Sequence, residues 1–244
     1  MMERKYYNDI DYKPFLFYVV FGVSEDNMQV SKTKHHVDEV PAGIDVMCLN
    51  RTNNNEYIEN FFRGAIGDII KERNEELYNI CREQDKCVVI QGAAIEDATF
   101  DYMRNIVGVM QAFVDNGAVG ILDLLTFTLF SPKAYTEKFF EKDINAQDHV
   151  VILISKTGDN YWLHTRGMSK FGRPDISMEN VAESNVPLCK NIINQMIYYG
   201  GEGAVFKEQI KINLSSEESY IVNTEFINDF DNDDFNNAYY KISL

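Results

Sequence analysis

The sequence predicts an α+β fold with an α/β-like core: a mixed, partly parallel sheet, three main helices and a C-terminal β-hairpin. Three observations carry this. Short β-branched and aromatic runs recur at 15–23, 44–49, 86–95, 118–125 and 150–155. Apolar residues step by three and four over 55–81, 100–114 and 188–199, the period that gathers one stripe on a helix. Beyond residue 204, two strand-like segments flank an acidic turn at 215–218.

In order, residues 1–13 are polar and tyrosine-rich and read as a loosely held arm. FLFYVVFGV at 15–23 is apolar throughout, as a buried strand is. Residues 24–42 carry His35-His36, lead into Pro41-Ala42-Gly43 and read as a loop before the strand 44–49. Ile58, Phe61, Phe62, Ala65, Ile66 and Ile69 make the stripe of the first helix. Asn54 or Asn55 is its N-cap, and a kink or break falls within 71–76. After the strand 86–95, Asp97 or Thr99 caps a helix striped by Phe100, Met103, Val107, Met110 and Val114, which Gly117 ends. Alternation of strand and helix over 44–125 predicts right-handed crossovers and partly parallel pairing. Ser131-Pro132 opens a short helix, and 150–155 pairs with 161–166 across a turn at 156–160. Ser184 or Asn185 caps a helix that has Pro187 in its first turn and stops at Gly200-Gly201. The hairpin and a last strand at 238–244 follow. No repeat or linker interrupts the pattern, so residues 1–244 read as one domain with an acidic segment at 228–237.

Charge narrows the partners. With 38 acidic against 23 basic side chains, the formal charge is −15. Such a surface repels phosphate backbones and anionic lipid, so nucleic acid and membrane are not expected, and a basic protein or a cation is favoured. Four scattered cysteines without CxxC spacing give neither a disulfide framework nor a zinc signature. The run at 14–23 is too short to span a bilayer and has no cleavage site after it, so the chain reads as cytoplasmic. No cofactor motif occurs, and nothing indicates an oligomeric state.

The most informative stretch is 161–180, YWLHTRGMSKFGRPDISMEN. On a strand Trp162, His164 and Arg166 share one face. Gly167 and Gly172 can take the positive φ that leaves the strand and enters Arg173-Pro174. HTRG followed by KFGRPD resembles a motif of bacterial proteins known only as domains of unknown function, matching at Gly167, Met168, Phe171, Gly172, Pro174 and Asp175. The resemblance implies a soluble cytoplasmic α+β protein and no particular activity.

Several constellations present themselves. Asp229 to Asp234 lacks the Gly and the Glu that an EF-hand loop needs, and reads as a solvated acidic turn. His35-His36 beside Asp38 and Glu39 reads as an exposed polar loop. Gly201-x-Gly203 follows a helix rather than a strand, so it is no dinucleotide fingerprint. Glu96, Asp97 and Asp123, at strand ends, are a candidate Mg²⁺ site set against a helix cap and an edge residue. His164, Arg166, Lys170, Arg173 and Asp175 form the main candidate binding site. There His164 can act as a base beside arginines that hold an anion, or the Arg-Asp pairs can staple an irregular loop. Pro174 holds Arg173 extended, so Arg173 is expected to tie the loop down through a carboxylate, Asp175 or another, with Lys170 in solvent. The function expected is a non-enzymatic protein-binding module, of immunity type against a basic toxin. The alternative is an enzyme or anion-binding protein using the His164 loop.

Overall fold

A computed structural model describes residues 2–23, 29–95, 97–230, 232, 234–235 and 237–244. The chain, which reads as one domain, divides into two compact units: Phe15–Ile144, and Met2–Pro14 together with Asn145–Leu244.

The first unit is built on β1 (Phe15–Phe21), the apolar run nearest the N-terminus. A short helix α1 (Lys32–His35) follows, within the stretch expected to be loop; Ser31 caps it. Strand β2 (Ile44–Asn50) leads into α2 (Arg51–Asn60), α3 (Gly64–Arg73) and α4 (Glu75–Arg82). The expected long helix is thus three short ones. Asn50, not Asn54 or Asn55, is the first N-cap, and Asn54 itself is non-helical. Asn74 leaves helical geometry and caps α4 by accepting from the Leu77 N–H, which is why the stripe breaks there. Strand β3 (Lys86–Ala93), helix α5 (Asp101–Asp115), strands β4 (Gly120–Asp123) and β5 (Thr128–Phe130), helix α6 (Pro132–Tyr135) and a π-helical turn at Thr136–Phe140 complete the unit.

Its sheet runs β2-β3-β1-β4-β5, and every neighbouring pair is antiparallel. This corrects the parallel pairing expected over 44–125. β2 and β3 pair directly but antiparallel, and β1, which precedes all those elements, lies between β3 and β4 and runs opposite to both. Alternate β1 residues Val19 and Phe21 pack with Ile58, Phe62, Ile70, Tyr78 and Cys81 of the helices. Leu16 and Val20 are equally buried, so β1 is apolar on both faces, as its sequence requires.

The second unit contains α7 (Ala146–His149), β6 (Val151–Thr157), β7 (Asn160–Arg166), a 3₁₀ turn at Met168–Phe171 and β8 (Asp175–Val181). Then come α8 (Val186–Gly201), β9 (Gln209–Asn213), β10 (Ser219–Ile227) and β11 (Tyr239–Ser243). The sheet runs β6-β7-β8-β11-β10-β9, and β8–β11 is its parallel pair. The mixed, partly parallel sheet and the C-terminal hairpin are therefore present, in this unit. Helix α8 buries Ile192, Ile193, Met196 and Ile197 and lies against β7, β8 and β9. The N-terminal arm is not loose. Arg4 is buried and donates to the carbonyls of Gly201 (2.9 Å) and Phe171 (2.8 Å), while the Tyr6 and Asn8 amides donate to the carbonyls of Glu202 and Gly203. Among the described residues, no helix is long and apolar enough to cross a membrane.

Candidate functional site

The stretch 161–180 folds as its punctuation requires. Gly158 (φ 62°) closes the β6–β7 hairpin, and Gly167 (φ 109°) and Gly172 (φ 60°) bracket the 3₁₀ turn. Both bracketing residues sit where a side chain would be strained. Strand β7 then aligns Trp162 and His164, whose rings stack at 3.9 Å. The Trp162 indole N–H donates to Ser177 Oγ on β8 (2.9 Å).

The five residues singled out in this stretch are all buried; Arg166 lies near His164 and Asp175, whereas Lys170 and Arg173 reach other segments. His164 is buried between Trp162 and Phe235, and its Nδ1 has no hydrogen-bond partner among the described residues. Burial pushes its pKa down to about 4, with Asp234 opposing and Arg166 assisting the shift. At neutral pH it is an uncharged aromatic ring. The Arg166 guanidinium donates to the Asp234 carbonyl. Asp175 accepts from Thr165 Oγ1 (2.7 Å), Asn237 Nδ2 (2.8 Å) and the Met168 amide (3.3 Å). Its burial outweighs those donors and raises the carboxyl to about 6.

One expectation needs correction, and another gains its partners. Lys170 is not in solvent; it is fully buried, and its ammonium donates to the His149 carbonyl at 2.6 Å. Arg173 is the staple expected, yet its guanidinium is spread over carbonyls: Gly203 (2.6 Å), Gly172 (2.7 Å), Asn8 (2.8 Å) and Ala204 (3.2 Å). Carbonyl groups at the end of α8 and in the arm needed donors, and a planar fork with five N–H groups reaches several at once.

What opens to solvent is a cavity of about 280 Å³ beside this cluster. Trp162, Phe235 and Tyr239 form its walls; Phe235 and Tyr239 stack at 4.2 Å and Trp162 stands edge-on to Phe235. Glu179, Asn180, Asn232 and Asp234 bring oxygen acceptors to it, with Ser177 and Thr157. Asn180 holds a left-handed backbone (φ 57°) inside β8, a conformation Asn tolerates better than most residues. Lys241 reaches Glu179 at 2.9 Å, both half exposed. None of the cavity's described lining residues is basic.

The chain matches no family model, no curated protein and no solved structure. The site therefore has to be read from its own chemistry.

Elsewhere the described candidates take part in local structure. Asp123 ends β4 by accepting from the Leu125 and Thr126 amides (3.0 and 3.3 Å). Asp97 is buried, and Thr99 rather than Asp97 accepts from the first amide of α5. Glu96 lies outside the described residues, as do Asp231 and Asp233 of the acidic turn. Among the described residues no group of three His, Cys, Asp or Glu could hold a metal. His35 is buried rather than exposed: its Nδ1 accepts from the Ser31 amide and its Nε2 meets Asp115 at 3.2 Å. Sequence reasoning found Trp162 but missed Phe235, whose segment it read only as acidic, and placed Tyr239 in the last strand without marking it as a site residue.

Proposed function

We propose that the chain is a non-enzymatic binding module for a basic protein, engaged through the cavity of the second unit. The observation that carries this is the cavity's composition, aromatic side chains lining it together with the carboxylates of Glu179 and Asp234 and the side-chain amides of Asn180 and Asn232. Net charge supports it but selects no face, because at physiological salt a surface charge is screened beyond about 8 Å. Within that distance of a docking cation lie Glu179 and Asp234, both of which line the cavity. Aromatic faces bind cations by about 0.5–2 kcal/mol each, more as water is excluded. Acidic surfaces also speed the approach of a basic partner and make binding sensitive to salt. An anionic ligand would meet the wrong charge here, while the buried guanidinium groups of Arg166 and Arg173 are turned to carbonyls.

The test is fluorescence anisotropy with a labelled decapeptide of alternating Arg, Lys and Ser, against an Asp/Glu/Ser counterpart, from low to high salt. The basic peptide should bind and weaken steeply with salt, and the acidic one should not bind. No binding of the basic peptide, or equal binding of both, overturns the proposal.

A further inference from the structure

We infer that the cavity of the second unit is an arginine pocket, receiving the guanidinium of one arginine of the basic partner. This rests on the binding-module reading above and specifies its ligand.

Size limits the occupant first. At about 280 Å³, the cavity falls just under the roughly 300–1,000 Å³ of sites that enclose drug-sized ligands. It suits a single side-chain head. The acceptors come next. Asp234, Glu179, Asn180 and Asn232 line one small space; Glu179 already holds an ammonium, that of Lys241, on one oxygen, and Asn232 Oδ1 already accepts from the Asp234 amide. A guanidinium carries five N–H donors in a planar fork and no acceptor, so it serves several such oxygens at once. An ammonium offers three donors on one point and is more strongly hydrated, so entering costs it more. The walls decide between the two. Phe235 and Tyr239 are nearly parallel (13° between planes), and Trp162 lies at 73° to Phe235. A flat cation can lie against one of these faces and keep its edge on the carboxylates. A round one gains only the charge–quadrupole attraction. Behind the wall, neutral His164 stacks on Trp162 and adds no positive charge, while the buried Arg166 guanidinium donates to the Asp234 carbonyl.

Trp162 is the chain's one tryptophan and it lines the cavity, so its fluorescence reports occupancy directly. The full chain is titrated with acetyl-Gly-Arg-Gly-amide, with the lysine analogue, and with the citrulline analogue that keeps the shape and loses the charge, all at matched ionic strength. The arginine peptide should give a saturable change, with lysine at least about fivefold weaker and citrulline weaker still, a difference of about 1 kcal/mol or more. Asp234→Asn should weaken the arginine peptide by a similar factor and shift the urea midpoint little, because Asp234 is exposed and keeps the backbone carbonyl that accepts from Arg166. No saturable change with arginine, equal binding of lysine or citrulline, or an unaffected Asp234→Asn would each overturn the assignment. The basic decapeptide keeps the two readings apart. If it binds with steep salt dependence while the tripeptides do not, the arginine pocket fails and the binding module stands. If the arginine tripeptide binds and the decapeptide does not, a small cationic ligand replaces the protein partner.

Discussion

Arg173→Ala should be among the most damaging single changes available in the second unit. The side chain is buried and donates to four carbonyls at 2.6–3.2 Å, of which three belong to other segments: Asn8 in the arm, and Gly203 and Ala204 beyond α8. Hydrogen bonds from a charged donor contribute about 1.5–3 kcal/mol each, and a buried carbonyl left without a donor costs about 1–3 kcal/mol. Against these stands the desolvation of a guanidinium, several kcal/mol, which the truncation relieves. The net loss should be about 3–5 kcal/mol. Arg173→Lys should fall between wild type and alanine, since a point charge cannot span the same acceptors. Lys170→Ala removes a fully buried stem and one donor to His149, and should cost about 2–3 kcal/mol rather than the negligible amount a solvent-exposed lysine would. The assay is urea unfolding followed by Trp162 emission, which reports this unit. Hydrogen exchange at the Tyr6 and Asn8 amides gives an independent readout, because both donate across to 202–203. A loss below about 1 kcal/mol, the range of an exposed ion pair, would show that Arg173 does not staple the arm. So would unchanged protection of those two amides.

Three further outcomes are expected. Because the folded pKa of His164, about 4, lies below its unfolded value, the unfolded state binds the extra proton and stability falls as pH drops from about 6.5 toward 4. His164→Phe keeps the ring packed on Trp162 and Phe235 and should recover up to about 3 kcal/mol of that acid loss, read as the difference between urea melts at pH 7 and pH 4.5; Asp175, whose raised pKa works in the opposite direction, cancels in the comparison. Gly108→Ala should destabilise the first unit by about 1–3 kcal/mol, since a Cβ there would stand 2.0 Å from the His35 carbonyl oxygen, and circular dichroism melts would show no change if α1 can move aside. Cys81 and Cys87 are buried with thiols pushed up to about 12, so in the native protein iodoacetamide should label partly exposed Cys48 first, as mass spectrometry of early time points would reveal.

Local chemistry was readable where it decides structure alone. Gly158, Gly167 and Gly172 announced the hairpin and the turn, and Pro187 announced α8, because each fixes backbone angles without outside help. Strand direction was not. Whether β3 pairs with β4 or with β1 between them depends on where β1 inserts, and no residue of 44–125 records that. Arg173 was found as a staple but its partners were not, and Lys170 was expected in solvent: both satisfy carbonyls far along the chain, and a carbonyl leaves no trace in a sequence. The cavity was half legible. Trp162 stood out by being unique, whereas Phe235 belongs to a run whose Asp and Asn content says only solvent, and Tyr239 reads as an ordinary strand residue.

The arm and α8 are far apart along the chain, and this sets a timetable. Asn8 cannot meet Gly203 until on the order of 10–40 s of synthesis have passed, at about 5–20 residues per second. During that interval all of Phe15–Ile144 emerges and can close on itself, while Arg4, buried in the finished protein, stays accessible. The nascent chain therefore carries an exposed, mixed-charge and tyrosine-rich segment through most of its translation. Proteases, chaperones or modifying enzymes that read such segments have one window to act, and it shuts when the carbonyls of 200–203 arrive.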